Sequence, residues 1–161
     1  MAEHQPGFDL ISIAPAFVIG PDYLATKPDD LKNGTNQFVT RMVCGNKPGH
    51  PMPSGTVHID DVAFAHVKAL DSSVPGNQLY ITCANPPDGI VWNDAMGVVK
   101  ESYPERVADG TLANDGETAT LITKFDSSET ERVFGFKHKP FREMVRDVIG
   151  QYLSLLGQER N

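Results

Sequence analysis

Four side chains able to bind a metal fall close together in the sequence: His58, Asp60, Asp61 and His66. Their spacing matches no zinc pattern. His58 and Asp60 fall on one side of a short strand, and Asp60 is wanted as the cap of the helix that follows, so capping is the favoured reading. A second candidate is "YLATK", residues 23–27, whose Tyr and Lys stand four apart, the spacing of one helix face. Pro21 precedes the pair and Pro28 follows it at once, which drives Lys27 out of the helical region. Covalent catalysis has less to offer. No G-x-S-x-G anchors a Ser-His-Asp triad, and Cys44 has no named base nearby. Phosphate binding by a glycine-rich turn is not encoded either: no G-x-G-x-x-G or G-x-x-G-x-x-G occurs, and the pair Gly45 and Gly49 follows no strand.

The elements that must position any such chemistry alternate. "FDLISIAPAFVIGP", residues 8–21, is a nearly continuous apolar run that predicts a strand buried on both faces, as in a parallel sheet covered by helices. Pro15 stops it and Gly20-Pro21 marks the turn. Residues 21–34 read as loop. Phe38, Val39, Met42 and Val43 recur at helical spacing before Gly45. After the irregular 46–55, "TVHI" predicts a short strand running into a helix whose Val62, Ala65, His66 and Ala69 share a face. "NQLYITCA" predicts another strand, "NPPDG" a break, and "IVWNDAMGVVKESYP" a helix ended by Pro104. Residues 105–120 carry little signal, and "TLITKF" predicts a strand. Ser127 or Ser128 caps a short helix closed by Gly135. Phe141, Met144, Val145, Val148, Ile149, Tyr152, Leu153 and Leu156 then form an amphipathic stripe between Pro140 and Gly157. The pattern is α/β.

The 161 residues suit one domain, with 40% apolar and 22% charged residues. A net charge of −7 and no basic patch argue against nucleic acid. No apolar run approaches a membrane span, and the N-terminal stretch is no secretory signal. Cys44 and Cys83 form no disulfide framework or C-x-x-C, so a reducing cytoplasm is the default compartment.

Taken together, "FDLISIAPAFVIGP", "VHIDDVAFAHVKAL", "NQLYITCAN", "YPE" and "FDSSETERVFGFKHKPFREMVRDVIGQYL" resemble, in order and spacing, the extended short-chain dehydrogenases/reductases. The resemblance is to the dihydroflavonol-reductase-like and aldehyde- or ketone-reductase-like branch of the epimerase/dehydratase superfamily. It runs from Phe8 to Leu156 and covers only that family's C-terminal half. It implies a partial Rossmann-like sheet plus a small substrate-binding α/β region. Residues 1–20 and 56–100 would lie on the sheet side, with 21–55 and 101–161 on the substrate side. Relatives bind the dinucleotide through a glycine-rich strand–turn–helix and use a helical Tyr–Lys pair ahead of the strand matching Phe8 to Pro15. There the Lys lowers the Tyr pKa and the Tyr donates a proton to the carbonyl. Both devices would precede Met1, and "YLATK" lies on the wrong side of the strand for that role, so no catalytic residue is assigned.

The resemblance places Pro15, Ala16, Phe17 and Val18 beside the nicotinamide of NADP. A parallel strand's carboxyl end opening into a ligand crevice agrees with this, and small Ala14 and Ala16 would let a flat ring approach. Phe38, Met42, Met52, Trp92 and Phe125 could line an apolar pocket. Of these Met42, with Tyr23, is put forward for the substrate. The implied reaction is hydride transfer to a carbonyl on a small apolar metabolite, which this chain is expected not to perform alone. The other expectation is a repurposed remnant, a cofactor-free small-molecule-binding protein or an isomerase or cyclase using the old pocket. The expected partners are a small-molecule substrate, an N-terminal half or a second copy of the chain.

Overall fold

A computed structural model describes residues 7–84, 86 and 89–159. Most of the "NPPDG" break lies outside these residues. Strand β1 (Ile11–Pro15) runs parallel to β5 (Gln78–Thr82), with Ile13 opposite Tyr80 and Pro15 opposite Thr82. The ladder ends there because proline offers no N–H to extend it. The chain steps sideways through Ala16, whose amide still donates to the Thr82 carbonyl (3.0 Å). It then forms β2 (Phe17–Ile19), which runs parallel to β4 (Thr56–His58). A bond from the Ala84 amide to the Thr56 carbonyl (2.7 Å) ties the two pairs together. A third parallel pair joins β3 (Met52–Pro53) to β6 (Thr120–Leu121).

Helix α2 (Ile59–Lys68) follows β4 without a break and packs on β1 and β5. Ala65, Val74, Tyr80 and Phe134 form a small core there, flanked by Ile11 and Ile13. The larger core lies among α1 (Gln37–Val43), α3 (Asp94–Ser102) and α6 (Phe141–Glu159), with a 3-10 turn at Pro28–Lys32. On α6 the predicted stripe is the buried one: Met144, Val145, Val148 and Ile149 are fully enclosed. At about 2 kcal/mol per buried side chain, this stripe dominates the helix's docking. Helix α4 (Pro104–Ala108) follows α3 at Pro104, and α5 (Ser128–Phe134) ends at Gly135 with φ +71°.

Three expectations are corrected. β1 is not buried on both faces: Phe8 and Leu10 are 71% and 64% exposed, and no residue of β1 is fully buried. Its one strand partner among the described residues is β5, and α2 covers a single face. The cap of α2 is His58, not Asp60, because His58 is the last extended residue and its Nδ1 accepts the Asp60 amide proton (3.1 Å). Gly157 does not end α6, which continues to Glu159.

Candidate functional site

The sideways step from β1 to β2 opens a gap at the carboxyl ends of two parallel strands, the place where open α/β sheets bind ligands. A cavity of about 310 Å³ fills it. Pro15, Ala16, Phe17 and Val18 line one wall. Pro53, Ser54 and Gly55 line another, with Thr35 and Phe125 completing it. The walls are tied together: the Phe17 amide donates to the Gly55 carbonyl (3.1 Å), and the Thr35 hydroxyl donates to the Val18 carbonyl. Gly55 has φ +126°, and a Cβ there would sit 2.6 Å from the Phe125 ring. Only glycine lets that ring close against the backbone. The lining is mostly carbon. Beside it in chain or register, the buried hydroxyls of Thr56 and Thr82 have no partner among the described residues.

A second cavity of about 170 Å³ lies against α1. Gln37, Phe38, Arg41 and Met42 form one helix face on it, opposite Asn46, Pro48, His50, Met52 and Thr118. The wall between the cavities is aromatic. Phe17 meets Phe38 edge-on at 5.0 Å between centroids, and Trp92 backs both. Consecutive residues of β3 serve opposite sides, Met52 in the second cavity and Pro53 in the first, as a strand's alternation requires. The Trp92 indole N–H donates to the Pro53 carbonyl (3.0 Å) and holds β3 in place.

Two amide side chains fasten the loop leaving β2. Asn36 accepts from the Gly20 amide (3.1 Å) and donates to the Gly20 carbonyl (2.8 Å). Gln151 does the same to Asp22, at 2.9 and 2.7 Å. Tyr23 lies just beyond, 79% exposed, and lines neither cavity. Lys27 is extended (φ −143°, ψ 158°), so it shares no helix face with Tyr23. Of the residues the sequence put forward, Pro15 to Val18 come together in one cavity and Met42 lines the other. Tyr23 is not brought to either.

The His-Asp cluster is spread across a structural joint. His58 is fully buried, with Nδ1 capping α2 and Nε2 3.3 Å from Asp147 Oδ2 on α6. Lys139 Nζ bonds Asp60 Oδ2 (2.7 Å) and holds that carboxyl below the usual range. Burial pushes the Asp61 carboxyl up, against the Lys139 amide that donates to it (2.8 Å). His66 is exposed and bonds the Val62 carbonyl of its own helix. These contacts join α2 to the segment leading into α6. Among the described residues no group of His, Cys, Asp or Glu is arranged to hold a metal. Burial pushes the Cys83 thiol up to about 11, and Cys44 Sγ lies 3.5 Å from the Tyr152 hydroxyl.

Sequence reasoning missed Gly55, Thr35, Arg41 and His50. A glycine before a strand was the available signal for the first. Arg41 stands three residues after Phe38, so helical spacing could have found it, whereas Thr35 and His50 reach their cavities only through contacts between distant segments. No helix among the described residues is long and apolar enough to cross a membrane.

No family model matches the chain. A ketoreductase of Cercospora nicotianae is 44% identical over 94% of this chain and 43% of its own length. A ketoreductase of Aspergillus fumigatus is 31% identical over 92% and 43%. An NAD-dependent epimerase/dehydratase of Gibberella moniliformis is 30% identical over 92% and 42%. The chain thus spans a little under half the length of the curated relatives it matches. Among solved structures, Gre2 of Candida albicans superposes with a TM-score of 0.69 at 18% identity, over 96% of this chain and 47% of that one. Yeast methylglyoxal/isovaleraldehyde reductase Gre2, solved with NADPH, gives 0.65 at 22%, over 93% and 47%. Over more than nine-tenths of its length the chain is thus similar to ketoreductases and NAD-dependent epimerase/dehydratases, and it shares the fold of the extended short-chain reductases over about half of their length.

Proposed function

We propose that this chain forms the substrate side of an NADP(H)-dependent reductase acting on a carbonyl of a small, rather apolar molecule. The observation that carries the reading is the convergence of Pro15, Ala16, Phe17 and Val18 on one apolar cavity at the carboxyl ends of β1 and β5. The ketoreductases among the relatives support it. A nicotinamide ring fits this cavity: the lining is mostly carbon, and Ala16 and Gly55 put no side chain larger than a methyl into it. The dinucleotide, when bound, supplies the hydride. Pro15 to Val18 would hold its nicotinamide end, and Phe125 would shield that end from water. The diphosphate has no glycine-rich cradle in this sequence.

The cavity beside Met42 holds the substrate in this reading. Phe17 and Phe38 form the partition across which the two ligands meet. These 161 residues offer no helical Tyr–Lys pair as proton donor, so they do not reduce a carbonyl by themselves. NADPH-dependent turnover by the purified chain would overturn that part. The site assignment is tested on the isotopically labelled chain by amide shifts. NADPH is expected to move Ala16, Phe17, Val18 and Gly55, and the neutral ketone 2-acetonaphthone to move Phe38, Met42 and Met52. Shifts confined to other residues would overturn it.

A further inference from the structure

The cavity beside Met42 does not stop at His50. A hollow of about 330 Å³ shares Pro48, His50 and Thr118 with it and continues past Lys47 and Glu117. The floor nearest α1 is apolar, made by Phe38, Met42 and Met52, whereas the rim carries hydrogen-bond donors. Arg41 dominates that rim. Its Nε–H donates to the Lys32 carbonyl (3.0 Å), which fixes the guanidinium and leaves its terminal nitrogens with no acceptor among the described residues. Arg106, Arg132 and Arg142, by contrast, each sit on a carboxylate. In a chain of net charge −7, the joined cavity gathers Arg41 and Lys47 against the single carboxylate of Glu117.

A guanidinium held by one edge presents its remaining N–H groups as a planar fork, the geometry that matches a carboxylate. We infer that the joined cavity selects organic acids: the apolar body of the ligand lies on Phe38, Met42 and Met52, and its carboxylate is read by Arg41, with Asn46 and His50 beside it. This rests on the reading of the Met42 cavity as the substrate site. The ketone to be reduced would then sit at the Phe17–Phe38 partition and the acid at the opposite end.

The probes are 2-naphthoate and its neutral counterpart 2-acetonaphthone, titrated into the 161-residue chain by calorimetry with amide shifts recorded in parallel. Naphthoate should bind at least about fivefold tighter than the ketone, a modest preference because the charge pair is partly solvated. R41Q should abolish that preference and leave the affinity for the ketone within about twofold, and R41K should recover part of it. High salt should weaken naphthoate alone. Equal affinities, with shifts at Phe38 and Met42, would overturn the acid selectivity and leave the substrate site standing. So would tight naphthoate binding by R41Q. Absence of binding by both probes would overturn the site and the inference together.

Discussion

Replacing His58 by alanine asks whether this buried imidazole is a structural joint. Three losses follow from its geometry. The Asp60 amide loses its cap, worth about 1 kcal/mol. The Nε2 contact to the Asp147 carboxylate is lost. At 3.3 Å, to a carboxylate partly open to solvent, it is worth about 1 kcal/mol. A fully enclosed ring also leaves a void beneath Gly20, whose Cβ position lies 3.3 Å from Nε2. Large-to-small changes at such sites cost about 2–5 kcal/mol in total, and the three terms overlap, so about 3–4 kcal/mol is expected for H58A. H58N restores an N-cap and should recover about 1 kcal/mol of that. Urea unfolding followed by the fluorescence of Trp92, the sole and fully buried tryptophan, reads both changes. A cycle with D147N should give a coupling of about 1 kcal/mol. H58A within about 1 kcal/mol of the parent chain, or no coupling to Asp147, would refute the joint.

Two further outcomes are expected. Burial raises the Asp61 carboxyl, so its stabilising contribution is present below the ordinary aspartate pKa of about 4 and is lost as pH rises through the higher folded value. D61N keeps an acceptor for the Lys139 amide and should gain on the parent chain between about pH 4 and 7, read from urea midpoints; an unchanged gap would contradict this. Separately, Phe8, Leu10 and Leu79 are exposed at the β1–β5 pair, and β1 has one strand partner among the described residues. The chain should therefore self-associate as concentration rises in light scattering, and lysine at Leu10 and Leu79 should suppress it; a monomer at every concentration refutes it.

Legibility from sequence followed how local each signal was. Helices α1, α3 and α6 were readable because their apolar positions repeat at helical spacing. Pro15 marked where β1 must stop, and so where a cavity must open. The cap of α2 was misread because Asp60 is the usual capping residue type, while the strand-to-helix junction places His58 at the cap and leaves Asp60 for Lys139. Burial of Phe8 and Leu10 was overestimated because an apolar run records composition and not the number of neighbours. The pairing of β3 with β6 spans two residues per strand, too few for any periodicity. Helix α4 was overlooked in a polar stretch, although Pro104 stands at its first turn. Tyr23, an aromatic on a proline-rich loop, carried no pattern to say which way it faces.

The central claim is that the β1–β2 step holds a nicotinamide. The most direct test is the set of nuclear Overhauser contacts between the nicotinamide protons of NADPH and this chain. Cross-peaks to the Ala16 methyl and the Phe17 ring are predicted. Contacts confined to residues outside Pro15–Val18, Gly55 and Phe125 would contradict it.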